Sequence, residues 1–388
     1  MLLLYNRVTT FKSKVLSLGL QIQTKKKYQM KLLNHVNIGK YTLKNSLVMS
    51  AMTRSRADIN GVVGDMTVLY YTQRASAGMI LTEAINISEQ AIGSPLTPGL
   101  FTPEQITAWK KVTDAVHEKG GLIFAQLWHT GRVGHSIDRH GKLPLAPSAI
   151  AIEGAKHFTS QGPKEFETPL ALTLAEIEQI KLDYKTAALH AMEAGFDGVE
   201  LHGANGYLPN QFLAESSNQR NDIYGGSIEN NCRFLLEVLA SLIEAVGGDK
   251  VGVKISPLHP YGGVIFNDPM ATFTYLIQEF NKMDFAFVEL MKRNPMFPPV
   301  PHYPQVDEIE VLGKLIRTHV IANTGYTQES GEAELEKGIA KAISYGMLFL
   351  ANPDLSRRFE LNAELNPLDM STMFGGGEKG YIDYPSLA

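Results

Sequence analysis

The sequence predicts a single (β/α)8 TIM barrel of the α/β class, on three observations. Eight short apolar runs of strand length recur along the 388 residues, amphipathic stretches of helical length lie between them, and polar and aromatic residues gather at the C-terminal ends of the runs. Short apolar strands alternating with helices require parallel pairing with both faces covered. Eight such units closing on themselves make a barrel. A doubly wound sheet is the competing arrangement, but no G-x-G-x-x-G follows the first strand to support it.

The strand-like runs are Leu47–Met52, Met79–Ala84, Leu122–Trp128, Gly198–His202, Val251–Ser256, Ala286–Leu290, Val320–Asn323 and a weaker one at Ala342–Gly346. Helical patterns occupy Pro103–Lys119, Leu174–Ala194, Ser227–Val246, Asp268–Lys282 and Glu332–Lys341. Thr102 before Pro103 marks a capped helix start, and Thr173 followed by Glu176 reads as a capping box. Gly120 and Gly195 stand where a helix end favours a left-handed residue. One connection is out of scale. Residues 129–172, rich in Gly, Pro and His, far exceed an ordinary βα loop and predict a long lid insertion after strand 3.

Composition narrows the class further. Apolar residues make up 44 % and charged residues 20 %, the balance of a globular chain. No run of about eighteen apolar residues occurs, so no membrane span is expected. The single cysteine, Cys232, excludes an intramolecular disulfide framework and any multi-cysteine metal site, and it reads as a structural residue on the helix after the fourth strand. Net charge is −4, which gives no general reason to expect a nucleic-acid partner. The charge is uneven, however. Residues 1–29 carry Arg7, Lys12, Lys14, Lys25, Lys26 and Lys27 and no acid, leaving 30 basic against 40 acidic residues from Met30 onward. We read 1–29 as a leader outside the fold, 30–388 as the barrel, and the location as cytoplasmic. An acid-free leader also fits organellar targeting.

In a barrel, chemistry sits at the C-terminal ends of the strands. Those ends here carry Thr53 and Arg54, Thr82 and Glu83, Gln126 with Trp128 and His129, His202 with Asn205 and Tyr207, Lys254 with Ser256, and Asn323 to Gly325. Turn residues alone would not need such a convergence, so an enzyme is expected. His202–Leu208 (HGANGYL) is the most informative stretch. An imidazole N–H and an amide NH2 can both donate to one ligand oxygen, and a phenol two residues on can supply a proton. The bland alternative is an Asn-Gly turn beside a buried, satisfied histidine. A metal site built on His129, His135 and His202 lacks a carboxylate at a recognisable spacing.

Several segments, in order along the chain, resemble the Old Yellow Enzyme family of flavin-dependent reductases. They are Ser50–Arg56 (SAMTRSR), Leu81–Ala84 (LTEA), Gln126–Arg132 (QLWHTGR), His202–Leu208, Gln211–Leu213 (QFL), Asn221–Glu229 (NDIYGGSIE), Leu350–Arg358 (LANPDLSRR) and Gly375–Pro385 (GGGEKGYIDYP). The likeness is nearest to N-ethylmaleimide reductases and 12-oxophytodienoate reductases. It implies FMN held noncovalently across the barrel top and reduced by NADPH or NADH. It further implies that Thr53 and Gln126 bond the flavin and that Ser50, Ala51 and Ala84 support its edges. His202 and Asn205 would hold the oxygen of an electron-poor alkene, Tyr207 would protonate it, and Trp128 would shape the substrate wall. Monomers and homodimers both fit.

Three positions depart from the family pattern. Lys254 stands where the resemblance implies an arginine facing flavin N1 and O2, and it keeps the charge but loses the planar fork. Gly346 is followed by Met347 where an arginine would clamp the FMN phosphate. Gly325, Gly346, Arg357 and Arg358 are the groups left to compensate. Phe374 stands where a tyrosine often lines the substrate cavity. These changes leave open a working ene-reductase, a reductase of specialised substrate chemistry, and a flavin-poor relative that binds small ligands without turnover. The Pro-rich stretch Asn294–Pro304 is expected to cover the cavity mouth.

Overall fold

The computed structural model describes residues 30–387, so the expected leader lies outside the described residues. Eight strands form a closed parallel barrel: β1 (Leu47–Met49), β2 (Met79–Asn86), β3 (Ile123–Trp128), β4 (Gly198–His202), β5 (Val251–Ile255), β6 (Phe287–Met291), β7 (His319–Asn323) and β8 (Ala340–Tyr345). Each pairs with its neighbours in chain order, and β8 closes on β1. Among the described residues, α1 (Asp65–Gln73), α2 (Pro103–Glu118), α3 (Leu174–Glu193), α4 (Ile228–Val246), α5 (Pro269–Phe280), α6 (Glu308–Val311), α7 (Gln328–Glu336) and α8 (Leu355–Leu361) follow the strands in turn, with two further short helices at Leu208–Leu213 and Met347–Ala351.

Local sequence explains most helix starts. Thr102 and Gln105, and Thr173 and Glu176, form reciprocal capping boxes on α2 and α3, and Ser227 accepts from the Asn230 N–H to begin α4. Gly120 and Gly195 follow their helices at φ +67° and +84°. One expected helix is displaced. The pattern at Glu332–Lys341 gives way to α7 at Gln328–Glu336, because Thr327 and Ser330 cap the helix earlier and Ala340 already belongs to β8. Helix α1 went unpredicted. Its sequence DMTVLYYTQ has no clean apolar face, and Gly64 offers no side chain to cap it.

Strand alternation stacks the barrel interior in layers. The lowest contains Val48, Met79, Leu81, Phe124, Phe287, Ile321 and Ala342, packed as one apolar cluster. Phe124 and Phe287 take the space left by Gly198 and Gly252, where an added Cβ would overlap their rings. Each such ring buried contributes on the order of 2 kcal/mol. An antiparallel hairpin, Val36–Ile38 with Tyr41–Leu43, closes the bottom through Ile38 and Leu43. Two residues further along the strands, the same inward positions hold Ser50, Gln126, Glu200, Lys254, Glu289, Asn323 and Ser344. The floor of the site is therefore polar.

The connection at residues 129–172 folds into a short 3-10 turn, a two-strand pairing of Leu145–Ala146 with Leu170–Ala171, and a hairpin of Lys156–Thr159 with Gly162–Glu165. At the other end of the chain, the C-terminal segment returns to the first βα unit. The buried Arg54 guanidinium donates to the carbonyls of Met373 and Gly380, and Tyr381 stacks on Tyr70 at 4.2 Å. Two of the recognised motifs, SAMTRSR and GGGEKGYIDYP, are thus partners in one structural joint.

Candidate active site

The polar layer is a connected network. Gln126 Nε2 donates to Glu200 Oε2 at 2.6 Å, and the Lys254 ammonium lies 3.0 Å from Glu289 Oε2. Glu289 Oε1 accepts from the hydroxyls of Ser50 and Ser344. Asn323 Nδ2 in turn donates to Ser50 at 3.2 Å and Ser344 at 3.1 Å. Six strands contribute one side chain each, and Ser50 stands one residue past the end of β1. Burial, then the Glu289 charge, pushes the Glu200 carboxyl well above its ordinary range.

Above this layer stand Trp128, His202 and Tyr207. His202 ends β4, two residues beyond Glu200, and it is 4 % exposed with Nδ1 lacking a partner. Burial, then the neighbouring Lys254 charge, drives its pKa well below the usual imidazole range, so the ring is neutral and donates through one nitrogen. The rings of Trp128 and His202 each meet Tyr207 edge-on at 4.7 Å. Trp128 is fixed by its indole N–H, which donates to Asn86 Oδ1 at 2.8 Å. Burial raises the Tyr207 hydroxyl well above the ordinary phenol range, so it stays protonated.

The loop after β4 is held from several sides. Asn205 adopts φ +54°, and its N–H donates to Ser256 Oγ at 2.9 Å while its buried Oδ1 has no partner. Gly206 must be glycine: φ is +71°, and a Cβ would overlap the Tyr261 carbonyl. Gln211 donates to the carbonyls of Thr130 and Gly206 and accepts from the Arg132 N–H, stapling the β3 loop to the β4 loop. Tyr261 lies 6.4 Å from Tyr207, and Phe297, from the Pro-rich segment, packs edge-on against His259 and Tyr261.

The ends of β7 and β8 differ. Thr324 and Gly325 both carry positive φ, +88° and +77°, and a Cβ on Gly325 would meet nothing within 4 Å. For a β-branched residue that conformation is strained. Gly346 approaches Met52, and Met347 opens a five-residue helix with its side chain 47 % exposed. Arg357 and Arg358 do not compensate for Met347. Arg357 pairs with Glu360, and the buried Arg358 is held by Asp354 and the carbonyls of Glu364 and Pro385. A basic group the sequence reading passed over does stand beside Gly325: the Lys292 ammonium lies 4.3 Å above the Tyr326 ring.

Residues 31–366 match the family described as NADH:flavin oxidoreductase / NADH oxidase. The chain belongs to it. It is 39 % identical over 360 residues to 12-oxophytodienoate reductase 1 of Oryza sativa subsp. japonica, covering 92 % of this chain and 93 % of that one. Among solved structures it is similar to the Old Yellow Enzyme homologue of Zymomonas mobilis (TM-score 0.88, 38 % identity, 92 % of this chain and all of that one). It is also similar to morphinone reductase in complex with tetrahydroNAD (TM-score 0.87, 41 % identity, 93 % and 98 % covered). The oxidoreductase is thus an FMN-dependent enzyme reduced by a nicotinamide, of the Old Yellow Enzyme family. These likenesses do not favour the reading as a flavin-free binding barrel.

The residues present fit a flavin ring on the polar layer. The layer holds an amide that can donate and accept (Gln126) and a cation (Lys254), and beyond it the buried His202 Nδ1 and Asn205 Oδ1 lack partners. Ala84 is buried in register with Gln126, Ala51 packs on the interior cluster, and Thr53 is half-buried at the end of β1. The phosphate side is thinner, with the bare turn at Gly325, Gly346, and Lys292 nearby. Phe374 is 57 % exposed and lines a cavity of about 580 Å3 with Ser55, Leu96 and Phe158, whose walls include neither His202 nor Tyr207. Among the described residues no cluster of His, Cys, Asp and Glu could hold a metal. Cys232 is buried and its thiol is pushed up by desolvation, which makes it inert.

Proposed function

We propose that the enzyme reduces the activated C=C bond of α,β-unsaturated carbonyl or nitro compounds with hydride from NAD(P)H, in two alternating half-reactions. The observation that carries this reading is the edge-on contact of His202 with Tyr207 above the polar layer, on the loop that also carries Asn205, with the buried His202 Nδ1 unpartnered. FMN, when bound, supplies the hydride relay between nicotinamide and alkene.

The chain's own groups do the rest. The neutral His202 donates an N–H, and the Asn205 amide a second, to the carbonyl or nitro oxygen. Both therefore stabilise the negative charge that grows there as hydride reaches the β-carbon. Their preorganisation comes from Ser256, Asn210 and Gln211, which fix the loop before substrate arrives. Tyr207, protonated through the accessible pH range, supplies the proton to the α-carbon. Trp128 bounds the space and fixes the phenol ring. On this reading Ser50, Ala51, Thr53, Ala84, Gln126, Lys254, Gly325, Gly346 and Met347 line the cofactor, and residues 30–388 form one catalytic unit working in the cytoplasm. Among the described residues no helix is long and apolar enough to cross a membrane.

The test separates the half-reactions. Tyr207→Phe should slow flavin reoxidation by an enone by about 10²- to 10⁴-fold, while flavin reduction by NAD(P)H stays within about twofold of wild type. Stopped-flow absorbance measures both. Equal loss in the two half-reactions would remove Tyr207 from the role of acid.

A further inference from the structure

Two carboxylates and one ammonium share the buried floor of the site. Lys254 and Glu289 face each other from adjacent strands, in register, with side chains 4 % and 0 % exposed and 3.0 Å between charged atoms. Glu200 stands on the other side of Lys254, on β4. The two acids also act on each other, but their remaining hydrogen-bond donors differ. Glu289 collects hydroxyl donors from Ser50 and Ser344. Glu200 has Gln126 alone as a hydrogen-bond donor, and its Oε1 is left without a partner. Charged and titratable groups facing the cluster from above are His202 and His259, both kept neutral by burial and by the Lys254 charge.

A buried carboxylate persists as an anion only where a cation and donors surround it. Glu289 meets that condition and Glu200 does not. The ion pair therefore belongs to Lys254 and Glu289, while Glu200, its carboxyl pushed well above the ordinary range, is the acid that holds a proton. Lys254 is also a cation that would line the flavin on the reading above, on which this inference rests. Its charge is therefore not free. It is divided between the ring above and Glu289 beside it.

We propose that Glu289 is a positioning residue for Lys254, holding the ammonium as half of an ion pair and thereby limiting how strongly the site favours reduced over oxidised FMN. A lysine suits this arrangement, because a compact ammonium on a flexible stem can lean toward either partner. Removing the Glu289 charge releases the ammonium to the electron-rich edge of the reduced ring, so the reduced cofactor gains. Removing Glu200, which carries no charge, changes little.

The experiment is an anaerobic dye-coupled measurement of the midpoint potential of the FMN-loaded full chain. Glu289→Gln should tighten reduced FMN relative to oxidised FMN at least tenfold, an upward move of about 30 mV for a two-electron couple. Glu200→Gln should leave that ratio within about twofold, a shift of under about 10 mV. In a Lys254→Met background Glu289→Gln should have no effect, because Glu289 acts through Lys254. Should Glu289→Gln fail to fold, Glu289→Asp keeps the charge, lengthens the gap and should shift the potential the same way by a smaller amount. An unchanged potential in both Glu289 variants, or the same rise with Lys254 absent, would overturn the inference while leaving the reductase reading intact. A wild-type chain that binds no FMN would instead overturn that reading and this inference with it.

Discussion

The two ends of the cofactor site are built differently. Around β4 nearly every group has a brace. Trp128 is tied to Asn86, Asn205 to Ser256, Gly206 to Asn210, and Gln211 spans the β3 and β4 loops. At the ends of β7 and β8 the chain offers mainly backbone: a strained Thr324, an uncovered Gly325 and an exposed Met347. The contrast follows from what each end must do. Hydride and proton transfer fail when a donor is about 1 Å out of place, so the catalytic loop is overdetermined. Anchoring a phosphate needs charge and N–H groups but tolerates imprecision, so an end built mainly of backbone can still serve.

The braced end should break by acid. His129 is buried, its Nδ1 accepts the Gly131 N–H at 3.1 Å, and its carbonyl accepts from the Leu208 N–H of the β4 loop. Burial, then the Arg139 charge, lowers its pKa from 6.5 to about 3. A histidine with a depressed folded pKa contributes stability that is complete above its unfolded value and is lost as pH falls toward the folded one. The window is therefore pH 6.5 down to about 3. The loss there is on the order of 5 kcal/mol. Thermal melts across that window should show the fall, and His129→Asn, whose amide oxygen can accept the same N–H, should make it shallower, with the buried His202 and His259 accounting for part of what remains. An identical pH profile in the variant would assign the acid sensitivity elsewhere.

The sparse end should be improvable. Met347→Arg returns a cation to the turn after β8, where the exposed side chain leaves room. Charge-assisted hydrogen bonds of this kind are worth about 1.5–3 kcal/mol, so FMN should bind about ten- to a hundredfold more tightly. Quenching of FMN fluorescence gives the dissociation constant directly. No change would mean that Lys292 and the backbone already saturate the phosphate.

The same contrast governs what was legible in the sequence. The catalytic loop is contiguous, His202 to Gln211, so its chemistry could be read from one stretch. Barrel strands were readable because their apolar runs are short and regular. Glu200 and Glu289 were not, although the signal was present: each sits mid-strand with the same parity as an inward-facing neighbour, Glu200 with His202 and Glu289 with Phe287. Alternation inside an apolar run, rather than the polar residue at its end, would have found them. Arg357 and Arg358 were read as groups that could compensate for Met347; their ion-pair partners Glu360 and Asp354 stand within four residues, whereas the Pro385 carbonyl that also holds Arg358 is known only once the C-terminal segment is folded back. Helix α7 was misplaced because its cap is a Thr–Ser pair, a weaker signature than Thr–Glu.

The polar floor is proposed to carry a flavin which hands electrons from a nicotinamide to an alkene above it. Anaerobic titration of the purified full chain tests it most directly. NADPH or NADH should bleach the bound flavin, and an α,β-unsaturated ketone should then restore its colour with one equivalent of saturated product. A protein that stays colourless after FMN is added, or whose reduced flavin is reoxidised by oxygen but not by the enone, would contradict the account.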